Sequence, residues 1–523
     1  MKPKWRAMLK HCFCVTPGRR SSGIKHMLLL TAVIAIGFFA VSFVSLYVLD
    51  WRMYNGAPLS EFTEHLDFRI QQLMRRYTIP GANIAVVQNG KIAYTKAYGD
   101  ADRASCIKMA KELPMRTESI SKSVTAWAVM KLVEEGKINL DEPVGRYLKD
   151  WKFPDSPFSS DGVTVRWLLC HTAGLPLGNI FARYDPQEPI PSLKESLTES
   201  AVLFQNPGVG FFYSNVGYHL LELLLEEVTG RDFAQYMKSE ILEPLGMNHS
   251  DFEWSDESLA AVPLGYTLNG KAVLPYRYPD RASGGLISTS EDIARFCIAG
   301  MPNFSEQKIL SRSGIKQLYA PQANRLGVYG MAFDAYGFGY YTEHGLAVSH
   351  GGQGYGWMSQ FYVMPDTGDA IVILTNSQRS WPFIAGVLNS WSRWRGFPPP
   401  GMTRILLGEC AVWALVGALA ALTLILAIRM GIRTYNGSMK FAPIRWDRAY
   451  LLRITQLGIS IASLAGLLWC ASQPYLFVTA VFPAASGWLG LCAAALMAVL
   501  LIASLFPEKE NQISDIEGHR YVG

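Results

Sequence analysis

The sequence has few cysteines and lacks several short motifs that identify common enzyme classes. Only Cys106, Cys170 and Cys297 of the eight cysteines lie between residues 50 and 400, so this region can form at most one disulfide and has no zinc-ligand spacing. The chain contains no Gly-x-Ser-x-Gly elbow, no His-Glu-x-x-His site and no glycine-rich phosphate loop after a strand. We therefore expect no metal or other cofactor.

Long apolar runs with little or no charge occur near both ends of the chain. Residues 27–49 carry no charge and can span a bilayer, and they follow a segment that has seven Lys or Arg and no acidic residue. A second apolar run, residues 405–428, is followed by six Lys or Arg and a single Asp. Residues 454–507 contain no charge and are long enough for two further spans.

The distribution of Lys and Arg predicts a multi-pass protein of the bacterial cytoplasmic membrane. The predicted order is a cytoplasmic tail (1–26), a span (27–49), an extracytoplasmic domain (50–400), a span (405–428), a cytoplasmic loop (429–453), two spans (454–478 and 485–506) and a cytoplasmic tail (507–523). The formal charge of +5 arises in the cytoplasmic segments, because residues 51–403 carry 32 Lys or Arg against 36 Asp or Glu. We therefore expect a lipid bilayer and no nucleic acid as partner, and the sequence identifies no protein partner.

Alternating apolar residues predict two antiparallel hairpins, formed by residues 82–88 with 91–97 and by residues 358–364 with 370–376. The turn of the first is Asn89-Gly90, which tolerates the positive φ of a two-residue turn. We expect an α/β (α+β) sandwich whose antiparallel sheet is assembled from both ends of the domain, with helices on both faces. Residues 98–345 are expected to form mainly helices and loops of an inserted lobe. Three tryptophans are expected either at the membrane interface or against the sheet: Trp381, Trp391 and Trp394.

Ser119 and Lys122 form a Ser-x-x-Lys motif at the start of a predicted helix. Their spacing places both side chains on one face of that helix. A serine hydroxyl needs a neighbouring base to become a nucleophile, and a desolvated lysine can be neutral enough to serve. The same pattern begins at four other serines, so alone it usually marks an ordinary helix start. The position of Ser119 after the first hairpin favours this copy.

Tyr213 and Asn215 form the only Tyr-x-Asn in the chain, in a loop ahead of a predicted helix. We expect the lysine ammonium to favour the Tyr213 phenolate, which would act as base toward Ser119 and then as acid toward the leaving group. Asn215 would hold a substrate carbonyl or the lysine. A buried loop tyrosine considered alone is more often structural.

His350, Gly352 and Gln353 belong to a His-Gly-Gly-Gln motif just before the second hairpin. Glycine lets a substrate backbone approach closely, so Gly352 is a candidate substrate-binding residue. The amide N–H groups of Gln353 and Ser119 are candidates for an oxyanion hole. His350 could polarise the Tyr213 proton or bind a substrate carboxylate, although a histidine before two glycines is alone more often a turn residue.

The order of the three motifs, with gaps of 94 and 137 residues, is hard to obtain by chance. With it the sequence resembles the serine β-lactamase and penicillin-binding-protein superfamily, especially its class C β-lactamase-like branch of peptidases and esterases, over about residues 60–395. The segments 171–175 and 284–286 also resemble that family and are interpreted as scaffold or cleft lining. The resemblance implies that Ser119 is the nucleophile, that Lys122 and Tyr213 are general bases, and that other motif residues, Asn215 and His350, bind substrate.

The sequence departs from the family at two positions. Penicillin-binding enzymes and true β-lactamases usually have lysine at the third motif, whereas this chain has His350 and no Lys-x-Gly at all. His350 is similar to the esterase and specialised peptidase members, so we expect inefficient β-lactam hydrolysis. Glu118 stands where such families often have glycine. The three C-terminal spans resemble, in architecture, the colibactin-type prodrug-activating D-asparaginyl peptidases.

We expect acyl transfer, in which Ser119 attacks an amide or ester carbonyl and water activated by Tyr213 releases the acyl group. The expected substrate is a D-amino-acid-containing peptide, a peptide-like prodrug, a cell-wall-related compound or a small ester. Two alternatives remain open: a non-catalytic penicillin-recognising or cell-wall-binding membrane receptor on the same fold, and an esterase or weak β-lactamase. A transporter is the weakest alternative, because Glu409 is almost the only charge in the spans.

Overall fold

The structure is a computed structural model that describes residues 20–48, 55–328, 331–345, 347–439, 441–444, 450–473 and 475–507. The predicted tails at 1–26 and 507–523 lie mostly outside these residues, as does part of the predicted loop at 429–453. The chain divides into two compact units, a globular unit of Asp50–Leu406 and a second unit of Met1–Leu49 with Leu407–Gly523.

The described residues form the following strands: β1 (Gly81–Gln88), β2 (Lys91–Asp102), β3 (Ile107–Lys108), β4 (Met115–Arg116), β5 (Gly265–Tyr266), β6 (Ala272–Val273), β7 (Ile287–Ser288), β8 (Ala323–Val328), β9 (Met331–Tyr336), β10 (Tyr341–Glu343), β11 (Ala347–Gln353), β12 (Met358–Met364) and β13 (Asp369–Thr375). They form the following α-helices: α1 (Arg20–Leu46), α2 (Leu59–Tyr77), α3 (Ile120–Glu134), α4 (Val165–Leu169), α5 (Leu193–Ser200), α6 (Asn215–Thr229), α7 (Phe233–Met237), α8 (Asp256–Ala260), α9 (Ser290–Ala299), α10 (Arg312–Tyr319), α11 (Trp381–Arg395), α12 (Arg404–Tyr435), α13 (Tyr450–Ser472), α14 (Phe477–Val481) and α15 (Ser486–Leu505).

The main sheet is antiparallel and has the order β3-β2-β1-β13-β12-β11-β10-β9-β8. Its first and last long strands are neighbours, since β1 pairs with β13 with Ala82 opposite Thr375. The turn between β1 and β2 has positive φ at both Asn89 and Gly90, as the two-residue hairpin requires. The predicted sheet, assembled from both ends of the domain with helices on both faces, is confirmed.

Residues 98–345 contain more strand than the sequence predicts. Strands β8, β9 and β10 extend the sheet at one edge, so the expectation of mainly helix and loop is wrong there. The segment ANRLGV of β8 combines a glycine with two polar residues and shows no clean alternation of apolar residues. Its extended conformation comes from pairing with β9, a tertiary contact that the local pattern does not reveal.

Helices α2 and α11 pack together in the globular unit. The Trp394 indole stacks on the Phe62 ring at 4.0 Å, and both side chains are fully buried. Trp391 is buried as well. Of the two placements expected for these tryptophans, the membrane interface is therefore wrong for Trp391 and Trp394, because both are buried inside the globular unit. Trp391 contacts Tyr362 of the sheet, and Trp394 contacts α2.

Four described helical segments are long and apolar enough to cross a membrane, namely Lys25–Leu46, Gly401–Tyr435, Tyr450–Ser472 and Ser486–Leu505. The third ends before the predicted residue 478. Gln473 precedes a proline in the sequence, and the residue before a proline is disfavoured in helical conformation. The short helix α14 follows instead.

Candidate active site

Ser119 lies at the start of α3, a helix whose side chains are almost all buried. Val124, Trp127 and Leu132 have no exposed surface, as expected of a helix that runs through a core. Ser119 is the N-cap residue and remains partly exposed. Because the first N–H groups of a helix have no partner within it, the Ser119 N–H is left for another acceptor. A rigid buried helix thus presents one hydroxyl at its accessible end.

Lys122 is fully buried one turn further along α3. Its Nζ lies 3.1 Å from Ser119 Oγ and 2.6 Å from the carbonyl oxygen of Ser283. The structure therefore brings together the serine and lysine of the first motif. Ser283, which sequence reasoning did not single out, fixes the position of the amine.

Burial lowers the pKa of Lys122 to about 7, since the ammonium form loses its hydration in the core. The carboxylates of Asp280 and Glu118 act in the opposite direction and keep the pKa from falling further. Near neutral pH, a large fraction of the amine is therefore unprotonated beside the Ser119 hydroxyl. A base with a pKa near the working pH is well suited to proton transfer.

Tyr213 lies beside the same two groups. The Lys122 Nζ is 5.0 Å from the centre of its ring, and its phenol hydrogen-bonds with the Ser119 side chain. Burial raises the pKa of Tyr213 well above its usual value, and the Ser119 hydrogen bond only partly opposes this. The expectation that Tyr213 is a phenolate is therefore wrong. Loss of hydration penalises the anionic form of Tyr213, and the neighbouring Lys122 is itself largely neutral. The phenol stays protonated.

The backbone around Tyr213 is fixed by its neighbours in the sequence. Ser214 is the N-cap of α6, where its Oγ accepts from the Gly217 N–H and donates to the Pro176 carbonyl. The Asn215 N–H donates to the Leu177 carbonyl. The Asn215 side chain is half-buried and makes no hydrogen bond with a described residue. The expected hydrogen bond between Asn215 and Lys122 is therefore not formed, and the Lys122 amine bonds to Ser119 and Ser283.

The third motif forms the end of β11, next to the start of α3. A methyl group on Gly352 would collide with the Thr117 carbonyl oxygen and the Ser359 Oγ, and would lie 2.9 Å from Glu118 Cβ. Only glycine allows the strand to approach this closely. Strand β11 therefore runs along the segment that leads into Ser119, and Gln353 lies exposed at its end.

His350 is buried, and both of its ring nitrogens have partners inside the protein. Nδ1 lies 2.7 Å from the Gly351 carbonyl oxygen, and Nε2 lies 3.2 Å from the Tyr336 hydroxyl. Its ring centre is 6.4 Å from that of Tyr213. The structure thus does not place His350 as a direct partner of the Tyr213 proton or as an exposed ligand for a carboxylate. Burial lowers its pKa to about 3, so the ring is neutral.

A hydrogen-bond chain links the second and third motifs through His171 and Tyr336. The Ser214 N–H donates to His171 Nδ1 at 3.2 Å, and His171 Nε2 lies 3.1 Å from the Tyr336 hydroxyl. Since Nδ1 accepts, the neutral ring must donate from Nε2 to the Tyr336 oxygen. The Tyr336 O–H then donates to His350 Nε2, and His350 Nδ1 donates to the Gly351 carbonyl. Every member has one consistent role, so the chain fixes both tautomers.

Glu118, next to the nucleophile, has a role that the sequence did not reveal. Its φ is 51°, a left-handed conformation that costs energy for a residue with a side chain. Its buried carboxylate pairs with Arg116 at 2.9 Å and accepts from the Tyr278 hydroxyl at 2.9 Å. These bonds hold the turn that delivers Ser119.

The structure therefore gathers Ser119, Lys122 and Tyr213, with Gly352 close by. The Asn215 side chain makes no hydrogen bond with a described residue, and His350 bonds to Tyr336 and Gly351. The sequence did contain a signal for His171, since its segment carries part of the family resemblance. Tyr336 had no such signal. Within the described parts of the chain, no group of three or more His, Cys, Asp or Glu side chains is placed to bind a metal ion.

The sequence matches a known protein family and curated relatives. A family model described as Beta-lactamase matches residues 66–386. Protein flp from Staphylococcus aureus (strain NCTC 8325 / PS 47) is 26% identical over 330 residues, which cover 60% of this chain and 63% of that protein. The chain thus matches less than two thirds of the length of this curated relative.

Solved structures with a similar fold include the octameric penicillin-binding protein homologue from Pyrococcus abyssi, with 28% identity and a TM-score of 0.56 over 64% of this chain and 78% of that one. A class C beta-lactamase mutant aligns with a TM-score of 0.53 over 64% of this chain and 98% of its own, at 20% identity. At 20% identity, the similarity to the class C beta-lactamase mutant shows a shared fold and nothing further.

Proposed function

Because the chain belongs to the Beta-lactamase family, we propose that its globular unit is a serine hydrolase that works through a covalent acyl-enzyme on Ser119. The observation that carries this proposal is the buried Lys122 amine, 3.1 Å from Ser119 Oγ and with a pKa lowered to about 7. A hydroxyl beside a base of this strength can be deprotonated as it attacks a carbonyl.

In the proposed acylation, Lys122 takes the Ser119 proton while Oγ bonds to the carbonyl carbon of the substrate. The neutral Tyr213 phenol gives its proton to the leaving group as that bond breaks, and the Lys122 ammonium returns a proton to Tyr213. Water then attacks the ester while the neutral Lys122 amine takes its proton and passes it to Ser119 Oγ as the acyl group leaves. We thus propose Lys122, and not the expected Tyr213, as the base that activates this water. Tyr213 thus acts first as an acid, which its raised pKa supports.

We propose the N–H groups of Ser119 and Gln353 as the oxyanion hole. The Gly354 N–H donates to the Trp357 carbonyl across the β11–β12 hairpin. Because ladder bonds alternate along an antiparallel pair, the N–H of Gln353 is then directed away from β12. The substrate backbone would lie along the accessible edge of β11, whose close approach to the start of α3 depends on Gly352, and the half-buried Asn215 amide would contact a substrate carbonyl.

The proposed substrate is an amide or ester, with D-amino-acid-containing peptides, peptide-like prodrugs and cell-wall-related compounds ahead of simple esters and β-lactams. The third motif has a neutral, internally bonded His350 where lactam-binding relatives usually have lysine. We further propose that the four apolar helices hold the protein in the bacterial cytoplasmic membrane, with the globular unit on the outer side.

Labelling with a fluorophosphonate, which forms an adduct with an activated serine, tests the function. We expect the full-length wild type in detergent to gain one adduct by intact mass, and Ser119→Ala to gain none. Ser105→Ala is the matched control, because Ser105 begins a Ser-x-x-Lys motif at an exposed turn. Labelling that persists in Ser119→Ala would reject the assignment, and a wild type without any adduct would favour the receptor alternative.

A further inference from the structure

The loop of residues 178–190 connects the surroundings of the second motif with those of the third. At its start, the Leu177 carbonyl accepts from the Asn215 N–H at 3.1 Å. Further along, the guanidinium of Arg183 lies 3.6 Å from the centre of the Tyr355 ring. Tyr355 follows the third motif by two residues, so the loop contacts the segments next to both motifs.

Arg277 holds this loop in place. Its backbone exchanges two hydrogen bonds with that of Tyr184, at 3.0 and 2.7 Å. Its guanidinium donates to the carbonyl oxygens of Pro186 and, at 3.1 Å, Glu188. Tyr355 is fixed as well, because its N–H donates to the Tyr276 hydroxyl at 3.0 Å. Arg183 therefore rests on a preorganised aromatic surface.

Arg183 makes no ion pair with a described residue, whereas the other cations near the site are engaged. Arg116 pairs with Glu118, and Arg281 binds Glu222. The carboxylate of the nearby Glu188 accepts from the Asp185 N–H. His350 has no ring nitrogen left for an anion. Among the described residues around Ser119, Arg183 is thus a charged group available to a ligand.

We propose that Arg183 binds a carboxylate of the substrate. This inference rests on the proposed function and specifies its substrate class as anionic acyl donors. Stacking on Tyr355 occupies one face of the guanidinium and leaves its N–H edges able to grip two carboxylate oxygens. The charge that lactam-binding relatives usually place on the third motif is supplied here from the opposite loop.

Two pairs of chromogenic esters test the proposal with the full-length protein. In the first pair, the acyl group ends in a carboxylate in one ester and in a carboxamide in the other. In the second pair, the phenol leaving group carries the carboxylate or the carboxamide. We expect the wild type to prefer the carboxylate member of at least one pair by about ten- to a hundredfold in kcat/KM. Arg183→Gln should reduce this ratio to about one, and Arg183→Lys should retain part of it. The ratio within each variant cancels a general loss of activity.

Arg312→Gln is the matched control, since it removes the same charge from the exposed start of α10. The neighbouring Ser311 N–H binds Glu134, at the end of α3 opposite Ser119. This variant should keep the wild-type ratio. A wild type without carboxylate preference, or a preference that survives in Arg183→Gln, would overturn the proposal while fluorophosphonate labelling of Ser119 still supported a hydrolase. A protein without labelling would instead refute the proposed function.

Discussion

At the scale of single residues, the burial of Lys122 sets the pH at which the site works. Its pKa falls from 10.5 to about 7, so the amine becomes a competent base as the pH rises through about 7. We predict that the labelling rate of Ser119 rises about tenfold per unit at acidic pH and levels off above about pH 8.

The measurement is the fluorophosphonate labelling rate between about pH 5 and pH 9. Lys122→Arg is the control, since a guanidinium stays protonated throughout and should leave the serine unreactive. A wild-type profile that is flat across pH 7 would contradict Lys122 as the base.

Tyr336 gives a second prediction at this scale. Its hydroxyl serves both His171 and His350, so Tyr336→Phe leaves two buried ring nitrogens without partners. We expect a loss of about 2–4 kcal/mol in the free energy of unfolding and a slower acylation by Ser119. Chemical denaturation and the labelling rate measure the two effects.

Tyr319→Phe is the comparison variant, because this partly buried hydroxyl makes one hydrogen bond, to the Gly300 carbonyl. It should cost about 1 kcal/mol and leave labelling unchanged. Equal losses of stability and rate in the two variants would mean that the Tyr336 chain does not position the site.

Sequence reasoning found residues whose roles follow from local spacing and missed those set by distant contacts. Ser119 and Lys122 meet because they are one helical turn apart, which any α-helix guarantees. The hydrogen bond between His171 and Tyr336 joins positions 165 residues apart. The protonation of Tyr213 depends on how much water the fold excludes, and this is not encoded in a three-residue motif.

At the scale of elements, the approach of β11 to the start of α3 decides whether Ser119 is correctly placed. Gly352→Ala would push a methyl group into the Thr117 carbonyl and displace the backbone ahead of the nucleophile. We predict at least about a tenfold loss of labelling rate with the fold retained, since overpacking typically costs about 1–3 kcal/mol. Labelling kinetics and thermal unfolding provide the test.

Gly145→Ala serves as its control, because a methyl group there meets no atom within 4 Å. This variant should label like the wild type. If Gly352→Ala also labelled at the wild-type rate, the close contact between β11 and α3 would not govern the site.

The elements that the sequence predicts best are those with strong local signals. The Asn89-Gly90 turn and the alternating residues around it define a hairpin without reference to the rest of the chain. The edge strands β8 to β10 have short, mixed sequences and exist through their pairing. Local periodicity therefore predicted β1, β2, β12 and β13, and it did not predict the edge formed by β8, β9 and β10.

At the scale of the whole molecule, the proposed topology can be tested with a native cysteine. Cys106 is free and exposed in the globular unit, whereas Cys170 and Cys297 are buried. We predict that a membrane-impermeant maleimide labels Cys106 in intact spheroplasts, because the positive-inside rule places this unit outside.

Mass analysis of the labelled protein identifies the modified residue, and Cys106→Ser should remove that adduct. The same reagent should label Cys106 in inside-out vesicles only after detergent is added. Labelling in untreated inside-out vesicles and none in spheroplasts would reverse the proposed orientation.

The contact between the two ends of the globular unit has a mechanical consequence. The Gly56 N–H donates to the Trp394 carbonyl, and the Trp394 indole donates back to the Ala57 carbonyl. Residues near the two ends of this unit are therefore bonded to each other, beside the stacked rings of α2 and α11. Separating these two ends of the unit would therefore first require breaking both hydrogen bonds and the stacking of Phe62 on Trp394, none of which involves Ser119 or Lys122.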